Sequence, residues 1–264
     1  MSTSKIAVIT GAADGIGWAS AQLLAQNGYQ LALLDMKSDV ISQRAIELGA
    51  NHLGITCNVT QADEVNHAYA LIKQRFGRVD VLINNAGIGE QPGTTLEQNA
   101  GAFEKILSVH LTGTFLMSQG ALKIMQEQPR DAQGNRGSII NLGSIASVLG
   151  IPGRNAYSAA KSGVLGITRS MACEWGPKGI RVNAIMPGYV KTSLVEDLIN
   201  KGTLNVDAIK KRSPLGRMAQ PSEIAEVIAF LASPKASFVS GATWQVDGAW
   251  SALGAPEATL HHDS

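Results

Sequence analysis

The chain has few of the features that mark nucleic-acid-binding or disulfide-stabilised proteins. Its 264 residues include 22 Lys and Arg against 21 Asp and Glu, a formal net charge of +1 with no basic block. Nucleic acid or an anionic membrane is therefore not an expected partner. The two cysteines, Cys57 and Cys173, lie in no CxxC or CxxH pattern. We expect both to be reduced thiols in the core, with no metal site.

Long apolar runs are also missing, and we expect no signal peptide. No apolar stretch approaches the roughly 18 residues that suggest a membrane-spanning helix. The first strand-like segment begins at Lys5, almost directly after the first residue. This pattern predicts a cytoplasmic protein with no membrane partner. Hydrophobic residues make up 45% of the sequence and charged residues 16%, which indicates a folded globular chain rather than a disordered one.

Short apolar runs rich in β-branched residues alternate with helical patterns. These runs are 5–10, 31–35, 52–57, 79–83, 138–142, 180–185 and 242–246. Such runs are typical of parallel strands buried on both faces, and their alternation with helices indicates βαβ units. The sequence therefore predicts an α/β fold, a doubly wound, Rossmann-like parallel sheet with helices on both faces. Residues 1–264 should form a single domain, with a flexible substrate flap at about 191–213 and a C-terminal tail at 254–264. The sequence also predicts a long helix over roughly 98–126 and one or two short helices in the flap, at 191–212.

A glycine-rich loop lies between the first predicted strand and the first predicted helix. From Thr10 to Gly17 its spacing is GxxxGxG, which differs from the common dinucleotide fingerprint GxGxxG. Glycines at this place allow a tight turn, and the N-terminus of the next helix favours a pyrophosphate. We interpret the loop as a cofactor site, although it could be only a tight connection. The expected binding residues are Gly11, Asp14, Gly15, Ile16 and Gly17.

Asp35 ends the second predicted strand, 18 residues after Gly17. A carboxylate there can hydrogen-bond the ribose diol of NAD and would repel the 2′-phosphate of NADP. Asp14 adds like charge, and Met36 stands where an arginine would help a phosphate to bind. Lys37 is the only cation nearby in the sequence. These residues favour NAD as the cofactor, while the alternative role for Asp35 is a helix cap.

Tyr157 and Lys161 are four residues apart at the start of an apolar-periodic run, which predicts that they share one face of a helix. An ammonium roughly 5 Å from a phenol, at an effective dielectric of about 20, lowers the phenol pKa by ~2.5 units from about 10. Such a tyrosine can serve as a general acid–base near neutral pH. A lone YxxxK pattern is, however, more often a half-buried tyrosine beside a solvated lysine.

Several motifs occur in one order along the chain. They are Thr10-Gly11-xxx-Gly15-x-Gly17, Asp35, Asn84-Asn-Ala-Gly87, Ser144, Tyr157-xxx-Lys161 and Pro187-Gly188-xxx-Thr192. Each is weak alone, but together they closely resemble the short-chain dehydrogenase/reductase family in its common single-domain form, over residues 5 to about 250. The resemblance implies an oxidoreductase that transfers a hydride between NAD(H) and a secondary alcohol or ketone. It also implies a homotetramer or dimer, and no metal.

The resemblance assigns roles to individual residues. Tyr157 would be the general acid–base, and Lys161 would lower its pKa and hold the nicotinamide ribose. Ser144 would hydrogen-bond the substrate oxygen, whereas the neighbouring Ser147 does not match the family position. Further cofactor contacts are implied at Met36, Asn58, Val59, Asn85, Ala86, Gly87, Pro187, Gly188, Val190 and Thr192. For Thr192, a helix N-cap fits the sequence nearly as well.

Two positions depart from the family pattern. His110 stands in Val109-His110-Leu-Thr-Gly113, where the family usually has an asparagine that holds a water linking the lysine to solvent. A catalytic histidine could hold that water or replace it, and a hydrogen-bonded core histidine is the other interpretation. Asn58 replaces an aspartate that the family often uses beside the adenine, although an amide can still contact an adenine edge.

The sequence does not identify the substrate. The pocket should be walled by residues 89–91, 145–146, 151–155, 189 and 193–212. Arg154 and Glu90 could contact a charged substrate group, although a solvated surface position is the more common role for such residues. Two rivals to an NAD-dependent enzyme stay open. One is a cofactor-sensing protein with little turnover, suggested by His110, and the other is an NADPH-dependent ketone reductase.

Overall fold

The structure is a computed structural model that describes residues 4–89, 92–200, 202 and 204–260. Glu90 and Gln91 of the predicted pocket wall lie outside these ranges. So do residues 201 and 203 of the predicted flap and residues 261–264 of the predicted tail. Within the described ranges, no helix is long and apolar enough to cross a membrane.

The described residues contain one parallel sheet of seven strands in the order β3-β2-β1-β4-β5-β6-β7. The strands are β1 (Ile6–Thr10), β2 (Gln30–Asp35), β3 (Leu53–Thr56), β4 (Val81–Asn84), β5 (Gly137–Leu142), β6 (Ile180–Pro187) and β7 (Thr243–Val246). Each pair of neighbours is parallel, with registers such as Val8 opposite Ala32 and Leu82 opposite Ile139. The predicted strands are confirmed, with boundaries that differ by a few residues.

Helices cover both faces of the sheet. They are α1 (Gly15–Gln26), α2 (Ser38–Leu48), α3 (Ala62–Phe76), α4 (Ala100–Leu107), α5 (Gly113–Met125), α6 (Asn155–Trp175), α7 (Ser193–Asn200), α8 (Val206–Arg212) and α9 (Pro221–Ala232). One apolar layer joins the sheet to α1, α2 and α9. The other joins it to α3, α5 and α6. The predicted doubly wound fold is therefore confirmed.

The continuous apolar runs explain this arrangement. Side chains alternate between the two faces of a strand, so a strand that is covered on both faces is apolar at most of its positions. In β1, Ala7 and Ile9 pack in the first layer and Val8 packs in the second. All five residues of β1 are buried.

The strand order reverses beside β1, which pairs with β2 on one side and β4 on the other. In an open parallel sheet, such a reversal leaves a crevice at the carboxyl ends of the strands, where ligands bind. The glycine loop follows β1, and the Asn84–Gly87 segment begins at the end of β4. The fold therefore brings both motifs to the same crevice.

Two details differ from the sequence-based expectations. The helix predicted over 98–126 is divided by a π turn at Ser108–Thr112, between α4 and α5. Cys57 is buried as expected, but Cys173 is exposed, because it lies on the outer side of α6. The expectation of two core thiols is wrong for Cys173. The flap forms two short helices, α7 and α8, as predicted.

Candidate active site

The glycine loop folds tightly against itself. Gly11 and Gly15 have φ angles of +63° and +56°, in the left-handed region that favours glycine. A Cβ on Gly17 would lie 2.1 Å from the carbonyl oxygen of Gly11, so that position has no room for a side chain. The Asp14 carboxylate accepts a hydrogen bond of 2.6 Å from the backbone N–H of Gly15 and caps α1. The loop thus presents backbone N–H groups and a helix N-terminus to the crevice.

Replacement of Gly17 by alanine tests whether this tight loop binds the cofactor. The new methyl group would force the loop away from Gly11, and we expect NADH affinity to fall at least about tenfold, or about 1.4 kcal/mol. Fluorescence titration of reduced cofactor measures the change. Gly166→Ala in α6 is the control, because a Cβ there meets nothing within 4 Å. Equal affinity in Gly17→Ala and the wild type would contradict a cofactor role for the loop.

The segment after β4 holds the glycine loop in place. The side-chain amide of Asn85 donates to the carbonyl oxygens of Thr10 (3.0 Å) and Gly11 (2.9 Å). The Thr10 hydroxyl oxygen accepts from the backbone N–H groups of Asn85 and Ala86, both at 3.0 Å. Asn84 faces the interior and donates to Asn141 Oδ1 at 2.9 Å. These hydrogen bonds stabilise the position of the glycine loop relative to the end of β4.

Asp35 lies beside the loop, as its position in the sequence predicted. Its carboxylate accepts from the backbone N–H groups of Ala13 (3.2 Å) and Lys37 (3.1 Å). The next side chain, Met36, is exposed. The sequence did not indicate Arg44 as a residue of this site, because Arg44 lies in α2, remote in sequence from the glycine loop. Its Nε donates to the Ala13 carbonyl at 3.2 Å, so Lys37 is not the only cation near this site.

Asn58 and Val59 follow β3. The Asn58 side-chain oxygen accepts from the Thr60 backbone N–H (3.1 Å) and hydroxyl (2.9 Å) and thereby stabilises a turn. Both hydrogen bonds use the side-chain oxygen, so a contact between Asn58 and an adenine edge would involve the side-chain nitrogen. Val59 is buried, and a Cβ on Gly113 would lie 2.7 Å from its Cγ2. Its side chain therefore packs against the long helix, so that a cofactor contact there would involve its backbone.

Ser144 begins a 3₁₀ turn (Ile145–Ser147) just past β5. Its hydroxyl oxygen accepts from the Ala146 backbone N–H at 3.1 Å and caps the turn. The Ser144 backbone N–H donates to Ser147 Oγ at 3.1 Å, and the Ser147 hydroxyl donates to the Lys161 carbonyl at 2.9 Å. Ser147, which did not match the family position, therefore connects the Ser144 turn to α6. The sequence does not indicate this bond, because its acceptor is the backbone carbonyl of Lys161 and any residue type supplies such a group.

Tyr157 and Lys161 lie on the same face of α6, as predicted. The ammonium nitrogen of Lys161 is 5.7 Å from the centre of the Tyr157 ring. Lys161 is only 5% exposed, and its ammonium donates to the Leu142 carbonyl at 2.6 Å. Burial lowers the pKa of Lys161 from 10.5 to about 8, because the charged form is poorly solvated there. The interpretation of Lys161 as a solvated surface lysine is wrong.

His110 joins this cluster from the π turn. Its ring is 4% exposed and meets the Tyr157 ring edge to face, with centroids 5.2 Å apart and an interplanar angle of 87°. Its Nε2 lies 2.9 Å from the Ile88 carbonyl oxygen. Burial, and then the charge of Lys161, lower the pKa of His110 to about 3, so the ring is neutral at physiological pH.

The segment after β6 begins at the carboxyl end of that strand, on the same edge of the parallel sheet as the glycine loop. Gly188 donates its backbone N–H to the Val246 carbonyl at 3.1 Å, and Pro187 ends β6. Val190 is buried and forms a parallel bridge with Ala219. Thr192 Oγ1 accepts from the Val195 backbone N–H at 3.4 Å, which is the predicted N-cap alternative.

The start of the flap also contacts the glycine loop. A Cβ on Gly15 would lie 3.1 Å from Thr192 Cγ2. The Ser193 hydroxyl donates to the Asp14 carboxylate, and this bond is the main cause that lowers the pKa of Asp14. Local sequence patterns cannot indicate this contact, because 179 positions separate its partners.

A cavity of about 200 Å³ lies between the flap and the C-terminal segment. Its wall includes Tyr189, from the predicted pocket, and Trp250, which was not predicted. The two rings are 5.0 Å apart at their centroids. Among the described residues, neither Tyr157 nor Lys161 lines this cavity, so it is separate from that pair.

A switch-point crevice with a glycine loop, an acid at the end of β2 and a tyrosine–lysine pair beyond β5 define a dinucleotide-binding protein of the Rossmann type. Within the described ranges, no three His, Cys, Asp or Glu side chains are placed to hold a metal ion.

Comparison with known proteins narrows this class. A family model described as enoyl-(acyl carrier protein) reductase matches residues 11–251. The chain is 40% identical over 251 residues to cis-4-hydroxycyclohexanecarboxylate dehydrogenase from Sinomonas cyclohexanicum, covering 94% of this chain and 97% of that protein. A crystal structure of 3-ketoacyl-(acyl-carrier-protein) reductase from Brucella melitensis, complexed with NADH, has a TM-score of 0.85 and 30% identity. The match covers 95% of this chain and 100% of that one.

A third relative is longer than this chain. The uncharacterized short-chain type dehydrogenase/reductase y4vI of Sinorhizobium fredii is 39% identical over 252 residues, which are 96% of this chain and 44% of that protein. The chain belongs to the short-chain dehydrogenase/reductase family, whose members use nicotinamide cofactors. The family membership that the sequence motifs indicated is therefore confirmed. The relatives of this chain are oxidoreductases that act on small molecules.

Proposed function

We propose that this chain is an NAD-dependent dehydrogenase/reductase of secondary alcohols and ketones, with Tyr157 as the general acid–base. The observation that carries this proposal is the buried ammonium of Lys161, 5.7 Å from the Tyr157 ring at the cofactor edge of the sheet. A positive charge at this distance in a poorly solvated site favours the phenolate. The phenol can then exchange a proton with a substrate hydroxyl near neutral pH.

The residues of the crevice fit a nicotinamide dinucleotide. Gly11 and Gly17 leave the backbone open to a pyrophosphate, and the N-terminus of α1 faces the same place. NAD, when bound, supplies the hydride acceptor for the carbinol carbon. In the oxidation direction, the Tyr157 phenolate takes the hydroxyl proton, and Ser144 hydrogen-bonds the same substrate oxygen. In the reduction direction, Tyr157 returns that proton to the carbonyl oxygen.

The choice of NAD rests on Asp35, and Arg44 is the reason to test NADPH as well. Hydrogen bonds from Ala13 and Lys37 fix the Asp35 carboxylate beside the loop, where it would repel a 2′-phosphate. The Arg44 guanidinium is occupied by the Ala13 carbonyl and by Glu47 at 2.9 Å, and it stacks over Trp18. Because the Arg44 guanidinium already makes these contacts, it is less available to bind a phosphate.

Replacement of Asp35 by alanine tests the cofactor choice. We expect the wild type to bind NADH at least tenfold more tightly than NADPH. Asp35→Ala should lose about 10- to 100-fold in NADH affinity, because charged hydrogen bonds contribute about 1.5–3 kcal/mol. Asp39→Ala, an exposed acid in α2, is the matched control. NADPH binding tighter than NADH in the wild type would refute the Asp35 argument, and Arg44→Ala would then show which side chain holds the phosphate.

We propose a small or medium secondary alcohol as the substrate, with a cyclic hydroxy acid as the first compound to try. The support is the 40% identity to a cis-4-hydroxycyclohexanecarboxylate dehydrogenase, together with the aromatic pair Tyr189 and Trp250 beside the flap. The purified protein should be screened with NAD against cyclic alcohols, polyols and hydroxy acids, following the absorbance of reduced nicotinamide. Tight NADH binding without turnover over alcohol and ketone panels would favour the cofactor-sensing alternative.

We further propose a cytoplasmic homotetramer or dimer. Apolar side chains such as Phe115 on α5 and Trp244 on β7 are exposed, and Phe238 is fully exposed at 103%. Contact between subunits would remove this apolar surface from water. A monomer mass by light scattering would contradict the proposed assembly.

A further inference from the structure

The ring of His110 is fixed on two sides. Its Nε2 lies 2.9 Å from the carbonyl oxygen of Ile88, and its edge-to-face contact with Tyr157 covers the other side. A Cβ on Gly87 would lie 2.6 Å from the ring Cε1, so only glycine at that position leaves space for the imidazole. The His110 ring therefore contacts both the Tyr157 ring and the carbonyl oxygen of Ile88.

The π turn places this ring. A π turn adds a residue to a helical turn and is common at functional sites. Here it spans Ser108–Thr112, with His110 at its centre. The Thr114 hydroxyl donates to the His110 carbonyl at 2.7 Å, which satisfies a backbone oxygen inside the altered turn. This hydrogen bond stabilises the π turn at the residue that carries the ring.

Two contacts with Ile88 bear on the tautomer. Nε2 lies 2.9 Å from the Ile88 carbonyl oxygen, which can only accept, and 3.3 Å from the Ile88 backbone N–H, which can only donate. We assign the proton to Nε2 because the contact with the carbonyl oxygen is the shorter of the two. Nδ1 is therefore the unprotonated nitrogen, and it is buried with no hydrogen-bond partner among the described residues.

The surroundings of the ring keep it uncharged. The ionisable groups that face it are Lys161 and Tyr157 of α6. The Lys161 ammonium opposes a second positive charge, and burial removes the water that would solvate an imidazolium. Because its pKa is about 3, His110 gains no proton between pH 5 and 9.

Resting on the proposed function, we propose that His110 is a positioning residue that holds the Tyr157 phenol beside Lys161 through a neutral ring, and that it does not carry protons. Its Nε2–H fixes the backbone of Ile88. The side chains of Ile88 and Tyr157 pack against one apolar cluster, formed by Ile106, Ala156 and Ala160. The ring therefore restrains the phenol directly and through Ile88.

Two substitutions of His110 separate positioning from proton transfer. His110→Gln keeps an N–H donor near the place of Nε2 but has no titratable group, whereas His110→Ala removes ring and donor together. Ser118→Ala is the control for lost stability, since Ser118 is buried in α5, where its hydroxyl oxygen accepts from the Asn84 side-chain amide at 3.0 Å. The readouts are kcat, KM and the pH profile of alcohol oxidation.

We expect His110→Ala to lower kcat about tenfold at pH 8, with KM for NAD changed less than threefold. The limb of the pH profile that rises with Tyr157 ionisation should move about one pH unit upward, as the phenol is released from Lys161. His110→Gln should restore kcat to within threefold of the wild type, together with its profile. Ser118→Ala should lower the melting temperature and leave the profile unchanged. A wild-type profile in His110→Ala, or a His110→Gln variant as slow as His110→Ala, would overturn the proposal.

A measurement without substrate separates this inference from the proposed function. The ¹⁵N resonances of His110, assigned by their loss in His110→Gln, should show the Nε2–H tautomer and no titration between pH 5 and 9. Titration within that range would overturn the neutral-ring proposal whether or not a substrate is found. Absence of NAD-linked turnover in the wild type would count against the proposed function, and the resonance test would then decide the state of His110 by itself.

Discussion

Replacement of Tyr157 by phenylalanine is expected to lower kcat about 10³-fold, because a positioned general acid–base contributes about 10²- to 10⁴-fold. Only the phenolic oxygen is removed, so the ring contact with His110 at 5.2 Å and the packing against Ile88 persist. NADH affinity should stay within about threefold of the wild type. Initial rates of alcohol oxidation and fluorescence titration of NADH measure the two quantities.

Tyr29→Phe provides the matched control for the loss of a tyrosine hydroxyl. The Tyr29 hydroxyl donates to the Ala232 carbonyl at 3.3 Å, in the layer formed by α1 and α9. Its removal should cost about 1 kcal/mol in the free energy of unfolding and leave kcat unchanged. If Tyr157→Phe retained more than a tenth of the wild-type rate, another group would have to be the acid–base.

Replacement of Lys161 by methionine should abolish most activity while making the cofactor-free protein more stable. Without the ammonium, the Tyr157 phenol loses the charge that favours its ionised form, and kcat should fall at least 10²-fold at pH 7. A lysine pKa lowered from 10.5 to about 8 corresponds to roughly 3 kcal/mol of unfavourable burial at neutral pH. Loss of the hydrogen bond to Leu142 offsets about 1–3 kcal/mol of this, so a net gain of about 1 kcal/mol is expected.

The pH dependence of unfolding checks the sign of this effect. Below pH 8, Lys161 is charged in both the folded and the unfolded wild type, and the burial cost is complete. Between about 8 and 10.5, the folded chain releases a proton that the unfolded chain retains, so wild-type stability rises with pH in that window. The advantage of Lys161→Met should therefore shrink over the same range.

Chemical denaturation at several pH values measures this difference. Lys235→Met, an exposed lysine, is the control and should change stability by less than about 0.5 kcal/mol. A Lys161→Met variant that is less stable than the wild type at pH 7, or an advantage that grows above pH 8, would contradict the burial argument. Both outcomes are read without substrate, so they do not depend on the proposed activity.

The sequence by itself determined the fold and the local geometry of the Tyr157–Lys161 pair. Residues 6–9 of β1 are apolar at every position because the strand is buried on both faces, and that pattern needs no knowledge of which helix covers it. The spacing of Tyr157 and Lys161 is likewise local, since residues four apart share a helix face. Gly11 and Gly15 reflect left-handed backbone angles, which are also local properties.

Only the tertiary structure decided which distant groups meet at the site. Arg44 reaches the glycine loop from α2, and Ser193 reaches Asp14 across 179 positions. The state of His110 depends on Ile88, Lys161 and its own burial, which belong to separate parts of the chain. Hydrogen-bond partners, burial and the pKa values that follow from them depend on non-local packing. Strand and helix patterns depend mainly on local periodicity, and the sequence records them directly.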